Sequence, residues 1–266
     1  LALVAAALLW PALTVGDVIS GEPVMSASAE ITPIKLPRSN PAPARLRLGF
    51  TSEALDGSAT PELSRVEIDL GPSLQLHTTG LPSCSFAQIY SVAESPGHSC
   101  AKSLVGKGTV DSEIDLPGRS PAKVEGQLSA FYVARKEESL ILARVITGEP
   151  MPLIYVIPFK ITRRPGAFGT GLLVRRMHVI QGICIHPHCF SPYTLKGVYS
   201  RISKLELSLH RRFADAGRSD SFISAQCPAP GKRREATFPI TKVSLDYASG
   251  QSLAATVERR CRTLPE

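Results

Sequence analysis

Arg65-Val66-Glu67-Ile68-Asp69-Leu70 alternates charged and apolar residues without a break. A period of two sends Val66, Ile68 and Leu70 to one side of an extended backbone and Arg65, Glu67 and Asp69 to the other. The stretch therefore reads as a β-strand with one dry face and one wet face. The same alternation recurs along the chain: Leu46 and Leu48; Leu74 and Leu76; Val124, Leu128 and Ala130; Leu205, Leu207 and Leu209; Val243, Leu245 and Tyr247; Leu253, Ala255 and Val257. One-sided strands of this kind belong to antiparallel sheets. Leu140 to Ile146 and Leu153 to Ile157 are nearly continuous in apolar residues and read as central strands covered on both faces.

Helical spacing occurs only between Ser85 and Lys102, where Phe86, Ile89, Tyr90 and Ala93 precede Pro96-Gly97. At most one short helix is expected there. Strands separated by Gly, Pro, Ser and Asp clusters predict an all-β fold, an antiparallel β-sandwich of jelly-roll or Ig-like type over residues 46–262. Two smaller sandwiches joined near residues 163–170 are the alternative division.

The N-terminal flank sets the compartment. Leu1 to Trp10 is almost wholly Leu, Ala and Val, and Pro11 interrupts it before Ala12 to Val15. That is too short and broken to cross a bilayer, which takes about 20 apolar residues. Ser26-Ala27-Ser28-Ala29 ends in an Ala-x-Ala pattern, so residues 1–29 are expected to be a signal peptide cut before Glu30, with a buried N-terminal strand or helix as the alternative. Pro33, Pro37, Pro41 and Pro43 give residues 30–45 the character of an extended tether. Loss of residues 1–29, which hold Asp17 and Glu22 but no Lys or Arg, would raise the chain's net charge of +7 by two.

Six cysteines in an exported chain predict disulfides. Proximity pairs Cys84 with Cys100, Cys184 with Cys189, and Cys227 with Cys261. Cys261 shares a strand face with Leu253, Ala255 and Val257, so the last bridge is expected to face inward. The central segment Cys184-Ile185-His186-Pro187-His188-Cys189 admits a second reading. In an extended backbone Cys184, His186 and His188 project the same way, and their N and S donors suit Zn or Cu. A small disulfide loop around Pro187 is the stronger expectation, with solvent-facing unpaired groups as the third. The His pair resembles the His-x-His of cupins, but the next Glu is as far off as Glu206.

Basic residues come in runs: Arg163-Arg164, Arg175-Arg176, Arg211-Arg212, Lys232-Arg233-Arg234 and Arg259-Arg260. If they converge, they would face an anionic glycan, lipid head groups or nucleic acid. If they do not, they are solvated charge on strand faces and turns. Aromatic residues make up 6% of the chain and do not interleave with these runs, which argues against a stacking platform for single-stranded nucleic acid.

Catalytic patterns are incomplete. Glu67-Ile68-Asp69-Leu70 and Glu113-Ile114-Asp115-Leu116 each set two carboxylates on one strand face. Each resembles the Glu-Ile-Asp-x-x-Glu strand of jelly-roll β-glucanases, yet Pro72 and Gly118 stand where the proton-donating acid would be. No Gly-x-Ser-x-Gly elbow and no Walker glycine loop is present. Gly106-Lys107-Gly108-Thr109 lacks the spacing of a phosphate loop and reads as a strand with a bulge or turn.

Gly80-Leu81-Pro82-Ser83-Cys84, Cys100 followed by Val105-Gly106-Lys107-Gly108-Thr109, Phe131, and Phe222-Ile223-Ser224-Ala225-Gln226-Cys227-Pro228 with Cys261 resemble uncharacterised exported proteins common in actinobacteria. The resemblance spans residues 64–262, rests on the outer four cysteines, and implies secretion and a β-rich fold without an activity. The expectation is an exported, cell-envelope or extracellular binding or structural module with a basic contact surface and no cofactor. Its expected partner is an anionic glycan or envelope polymer, not a specific nucleic acid. The alternatives are a secreted carbohydrate-active hydrolase, or a metal-binding protein using His186 and His188.

Overall fold

A computed structural model of the chain describes residues 22–90, 96–115, 120–148, 153–163, 168–175, 183–185, 188–190, 199–215 and 217–264. The chain opens with β1 (Pro23–Thr32), β2 (Lys35–Leu36), β3 (Ala42–Pro43), β4 (Arg45–Ala54), β5 (Leu63–Leu70) and β6 (Leu74–Leu76). Two helical turns follow, α1 (Phe86–Tyr90) and α2 (Pro96–Ser99), and then a 3-10 turn, Ala101–Ser103. Long strands come next: β7 (Leu104–Asp115), β8 (Ala122–Ala134), β9 (Ser139–Thr147), β10 (Ile154–Arg163) and β11 (Thr170–Arg175). The small hairpin β12 (Ile183–Ile185) and β13 (His188–Phe190) precedes β14 (Tyr199–Leu209). The chain closes with β15 (Arg212–Asp215), β16 (Arg218–Ser221), β17 (Ile223–Ala225), β18 (Glu235–Tyr247) and β19 (Ser252–Thr263).

Twelve strands form one sheet in the order β1-β4-β14-β7-β8-β9-β10-β11-β5-β18-β19-β2. Every ladder is antiparallel except the last, where β2 runs parallel to β19. The sheet curls until β1, at one edge, lies against β18 and β19 near the other. The result is a nearly closed, barrel-like sheet where the sequence leads one to expect a sandwich. Alternation fixes which side of each strand is dry, but not whether that side meets a second sheet or the far end of its own. Strand twist accumulating over a sheet this wide favours curling, and curling hides the edges.

The interior is one continuous core. Leu48, Ile68, Leu128, Phe159, Leu207 and Val243 belong to it and are fully or almost fully buried. Each such side chain removed from water contributes on the order of 2 kcal/mol. Two tyrosines reach in and find partners, Tyr155 with Ser112 at 3.0 Å and Tyr247 with Ser52 at 3.1 Å. Burial pushes the Tyr155 phenol up to about 12, so it remains a neutral hydroxyl. Charged residues such as Arg47, Glu30, Lys204 and Glu206 point outward from the strands. That is the reverse of the apolar-outside, polar-inside pattern of transmembrane barrels. Among the described residues no helix is long and apolar enough to cross a membrane.

Several boundaries move. The Ala-x-Ala pattern ending at Ala29 lies inside β1, which pairs residue by residue with β4 from Pro23↔Ala54 to Thr32↔Arg45. A cut before Glu30 would divide that strand; residues 1–21, and with them the apolar stretch from Leu1 to Val15, lie outside the described residues. The proline-rich segment 30–45 is not a tether. Leu36 is fully buried, Pro37 O accepts from Cys227 N–H at 2.9 Å, and β3 pairs with β17. The extended backbone that proline imposes fits edge pairing as well as it fits a linker. The stretch near 163–170 is no joint, since β10 and β11 on either side pair directly, Arg163 opposite Thr170. Pro96 begins a second helical turn where it was expected to end the first, consistent with proline's tolerance at a first helical position.

Two disulfides form as expected. Cys227–Cys261 lies fully buried in the main core with a Cα separation of 5.7 Å, and Cys84–Cys100 has a Cα separation of 5.4 Å. In the small hairpin the backbone register sets Cys184 opposite Cys189. Their side chains, that of His188, and residues 186–187 lie outside the described residues, and with them both the disulfide-loop and the metal reading.

Candidate functional site

Strands β8, β9 and β10 carry apolar residues on their outer faces too: Phe131, Val133, Leu140, Leu142 and Val156. This second, smaller core is roofed by Cys84, Cys100 and the helical turn between Phe86 and Tyr90, whose Ile89 turns down onto it and is fully buried. A helix of five residues does not hold by itself. A capping box secures α1: Ser85 Oγ accepts from Gln88 N–H at 3.3 Å, and Gln88 Oε1 accepts from Ser85 N–H at 3.2 Å. The approach is tied to β8 as well. Cys84 N–H donates to Tyr132 O at 3.0 Å, and Ser83 Oγ accepts from Ala134 N–H at 2.8 Å.

With Ile89 facing down, Phe86 and Tyr90 lie at i and i+4 along the rim of the roof, half-buried. Their rings stack with centroids 6.0 Å apart and planes within 7°. The Arg135 guanidinium sits 4.5 Å from the Phe86 ring centroid, a cation–π contact. Glu138 orders the cations behind it, bonding Arg135 at 3.2 Å and Lys160 at 3.1 Å. The Lys160 and Arg135 hydrogen bonds hold its carboxyl below the usual carboxylate range. Burial pushes the Tyr90 phenol upward, leaving it a protonated donor.

These groups form one wall of a groove of about 770 Å³ that crosses the outer faces of β9, β10, β11 and β5. Its floor follows the sheet register. Lys160 sits between Leu140 and Leu173, and one row along Arg175 lies directly opposite Arg65. Like charges in directly opposed positions destabilise a ladder. Arg65 is balanced by Glu67 at 2.5 Å and Asp246 at 3.9 Å. Among the described residues Arg175 and Arg163, which also lines the groove, have no carboxylate partner. The far end of the groove is therefore left with surplus positive charge beside an aromatic wall.

Set against known proteins, the chain matches no family model, no curated protein and no solved structure.

The basic runs separate. Arg163 and Arg175 join in this groove, while Arg164 and Arg176 lie outside the described residues. Arg211 and Arg212 line a different cleft at one end of the sheet. Lys232, Arg233 and Arg234 are exposed on the approach to β18, joining neither, in a loop whose backbone carbonyls at Ala229, Gly231 and Arg233 are held by the Arg38 guanidinium. The single basic face therefore resolves into separate patches. Arg65, Arg135 and Lys160 complete the groove. No motif marks them, but Arg65 and Lys160 stand at outward positions of their strands, and that parity was the available signal.

The carboxylate pairs are occupied structurally. Glu67 holds Arg65, Glu113 accepts from Thr60 N–H at 3.0 Å, and Asp115 pairs with Arg201 at 2.5 Å. Burial pushes the Asp69 carboxyl up, against the opposing pull of Lys242 and Arg65. His77 Nε2 lies 2.7 Å from Ser224 Oγ, but Ser224 is buried and lines none of the clefts described here, so the pair ties β6 to β17. Among the described residues no group of three or more His, Cys, Asp or Glu side chains is placed to hold a metal.

Proposed function

We propose that this protein is an exported cell-envelope or extracellular binding module whose lateral groove holds an anionic glycan or envelope polymer. The observation that carries the reading is the opposition of Arg175 to Arg65 beside the stacked Phe86 and Tyr90, with no carboxylate on Arg175 or Arg163 among the described residues. A sugar ring stacks on the aromatic wall, and its carboxylate or phosphate supplies the charge the sheet leaves unmatched. Export is supported by the two disulfides, which oxidising compartments favour. The groove is open and runs across four strands, which suits a segment of a chain better than an enclosed small molecule.

Polygalacturonate and neutral dextran distinguish the reading by titration calorimetry over a salt series. Binding is expected for polygalacturonate alone, weakening by roughly tenfold between low and physiological salt as exposed charges are screened. It is expected to vanish in an Arg163→Gln, Arg175→Gln double variant that retains its far-ultraviolet spectrum. Equal binding of dextran, or an unaffected double variant, would overturn it.

A further inference from the structure

A second cleft, of about 730 Å³, opens where β1 and β14 end and β4 and β7 begin. It shares no lining residue with the lateral groove. Arg45, Lys107, Arg211 and Arg212 line it, His210 stands among them, and no carboxylate does. None of these four cations is ion-paired among the described residues, in contrast to the Glu138 and Glu67 pairs of the groove. The Arg211 Nε–H is buried without a hydrogen-bond partner among the described residues. A buried donor left unmade costs about 1–3 kcal/mol, so a ligand oxygen that reached this N–H would be held by it.

Local sequence explains how the cations are gathered. Gly106 and Gly108 let β7 press against β14: a Cβ at Gly108 would stand 1.9 Å from Glu206 O, and one at Gly106 2.7 Å from Ser208 O. The bulge between Leu104 and Gly106 shifts the register, and Lys107, opposite Ser208, lines the cleft. His210 N–H donates to Val105 O and Phe222 N–H to Arg211 O, which fixes the 210–212 backbone across the opening. The Gly-Lys-Gly segment is thus no phosphate loop by motif, yet the fold delivers its lysine to a cationic cleft.

We propose that this cleft binds a phosphomonoester carried on a small organic body. Three guanidinium groups and an ammonium, uncompensated, call for more than one unit of negative charge, and a phosphomonoester brings about 1.5–2 at neutral pH with three strong acceptors. A single carboxylate or sulfate ester brings one. Pro33, Pro43, Ala44 and Leu104 supply apolar walls for the rest of the molecule. The phosphate takes the position that Arg211 Nε–H addresses, and Arg45 and Lys107, both exposed at the rim, close on its outer oxygens.

Calorimetric titration with glucose 6-phosphate, glucose and inorganic pyrophosphate, and co-sedimentation with phosphatidate vesicles against phosphatidylcholine vesicles, test this. Glucose 6-phosphate or phosphatidate is expected to bind, glucose and phosphatidylcholine are not, and the arm that responds names a soluble or a lipid source. An Arg45→Gln, Lys107→Gln variant, altered only at exposed positions, is expected to bind at least tenfold more weakly with no loss of thermal stability. Arg211→Gln is a second, independent variant expected to lose binding. Failure of both glucose 6-phosphate and phosphatidate to bind, or equal binding by the wild type and the Arg45→Gln, Lys107→Gln variant, would overturn the proposal. Pyrophosphate binding tighter than both phosphomonoesters would overturn it too, since the apolar walls would then contribute nothing.

Discussion

The lateral groove and the end cleft are both cationic, and they treat their charge differently. In the groove, Glu138 and Glu67 hold three of the five cations, one of which, Arg135, also lies over the Phe86 ring, and among the described residues only Arg163 and Arg175 are left over. In the cleft no cation is matched among the described residues. Partial matching keeps long side chains in fixed places and leaves a modest field, which suits repeated weak contacts along a polymer. Complete mismatch concentrates field in a confined space, which suits one compact, multiply charged ligand.

They also differ in what holds them. The cleft is cut into the end of the main sheet and inherits the stability of the whole core. The groove depends on a roof fastened to the outside of that sheet by Ile89, a capping box and Cys84–Cys100. The largest expected effect follows from this. Replacing Cys84 and Cys100 together by Ser should cost roughly 3 kcal/mol, the loop-entropy figure for a bridge of this span, readable in a denaturant melt. It should abolish polygalacturonate binding while leaving glucose 6-phosphate binding intact. Loss of both binding activities in a still-folded protein would show that the two regions are not independent.

That division was only half visible in the sequence. Period-two alternation identified β4, β5, β8, β14, β18 and β19 because one-sided burial leaves a mark at every second residue. It could not show that the sheet curls back on itself, since the approach of β1 to β19 joins segments more than 200 residues apart through accumulated twist. The prolines of segment 30–45 do not tell a tether from a strand, because proline gives the same extended backbone to a linker and to an edge strand. Phe86, Ile89, Tyr90 and Ala93 share one helical spacing in the sequence. The short helix buries Ile89 fully, while the two rings pack against the edge of the same core, half-buried, and line the groove. Arg163 and Arg175 stand out as members of doublets and Lys107 by its flanking glycines, whereas Arg45 and His210 carry no local signal, and the convergence of all three strand ends on one cleft is visible only in the fold.

A smaller effect separates a ligand-binding role for the groove from a structural one. Arg175→Gln removes a like charge directly opposite Arg65. If Arg175 serves only the fold, the substitution lowers stability. If its charge awaits a ligand, the substitution stabilises the free protein by about 0.2–1 kcal/mol, and polygalacturonate binding falls. A paired measurement of denaturation midpoint and affinity is expected to move in opposite directions. Movement of both downward would return Arg175 to the scaffold.

The smallest expected effect is in acid, because the groups concerned face solvent. Burial, and then Arg45, Arg211 and Lys107, hold the His210 imidazole below its ordinary value of 6.5. The unfolded chain therefore takes up this proton first, and stability is full above about 6.5 and declines as the pH falls toward the folded value. Glu138 is also depressed, by the Lys160 and Arg135 hydrogen bonds, from an ordinary value of 4.5. An acid so shifted contributes stability above that value and gives it up as the pH falls through the folded one. The end cleft should thus respond to acid first and the groove wall only later. Denaturation midpoints measured from pH 7.5 downward should flatten in the upper part of this range for His210→Gln, and only below about pH 4.5 for Glu138→Gln. If His210→Gln leaves the upper segment of the curve as steep as in the wild type, the cleft does not press on His210 and its cations are better screened than their lack of partners implies.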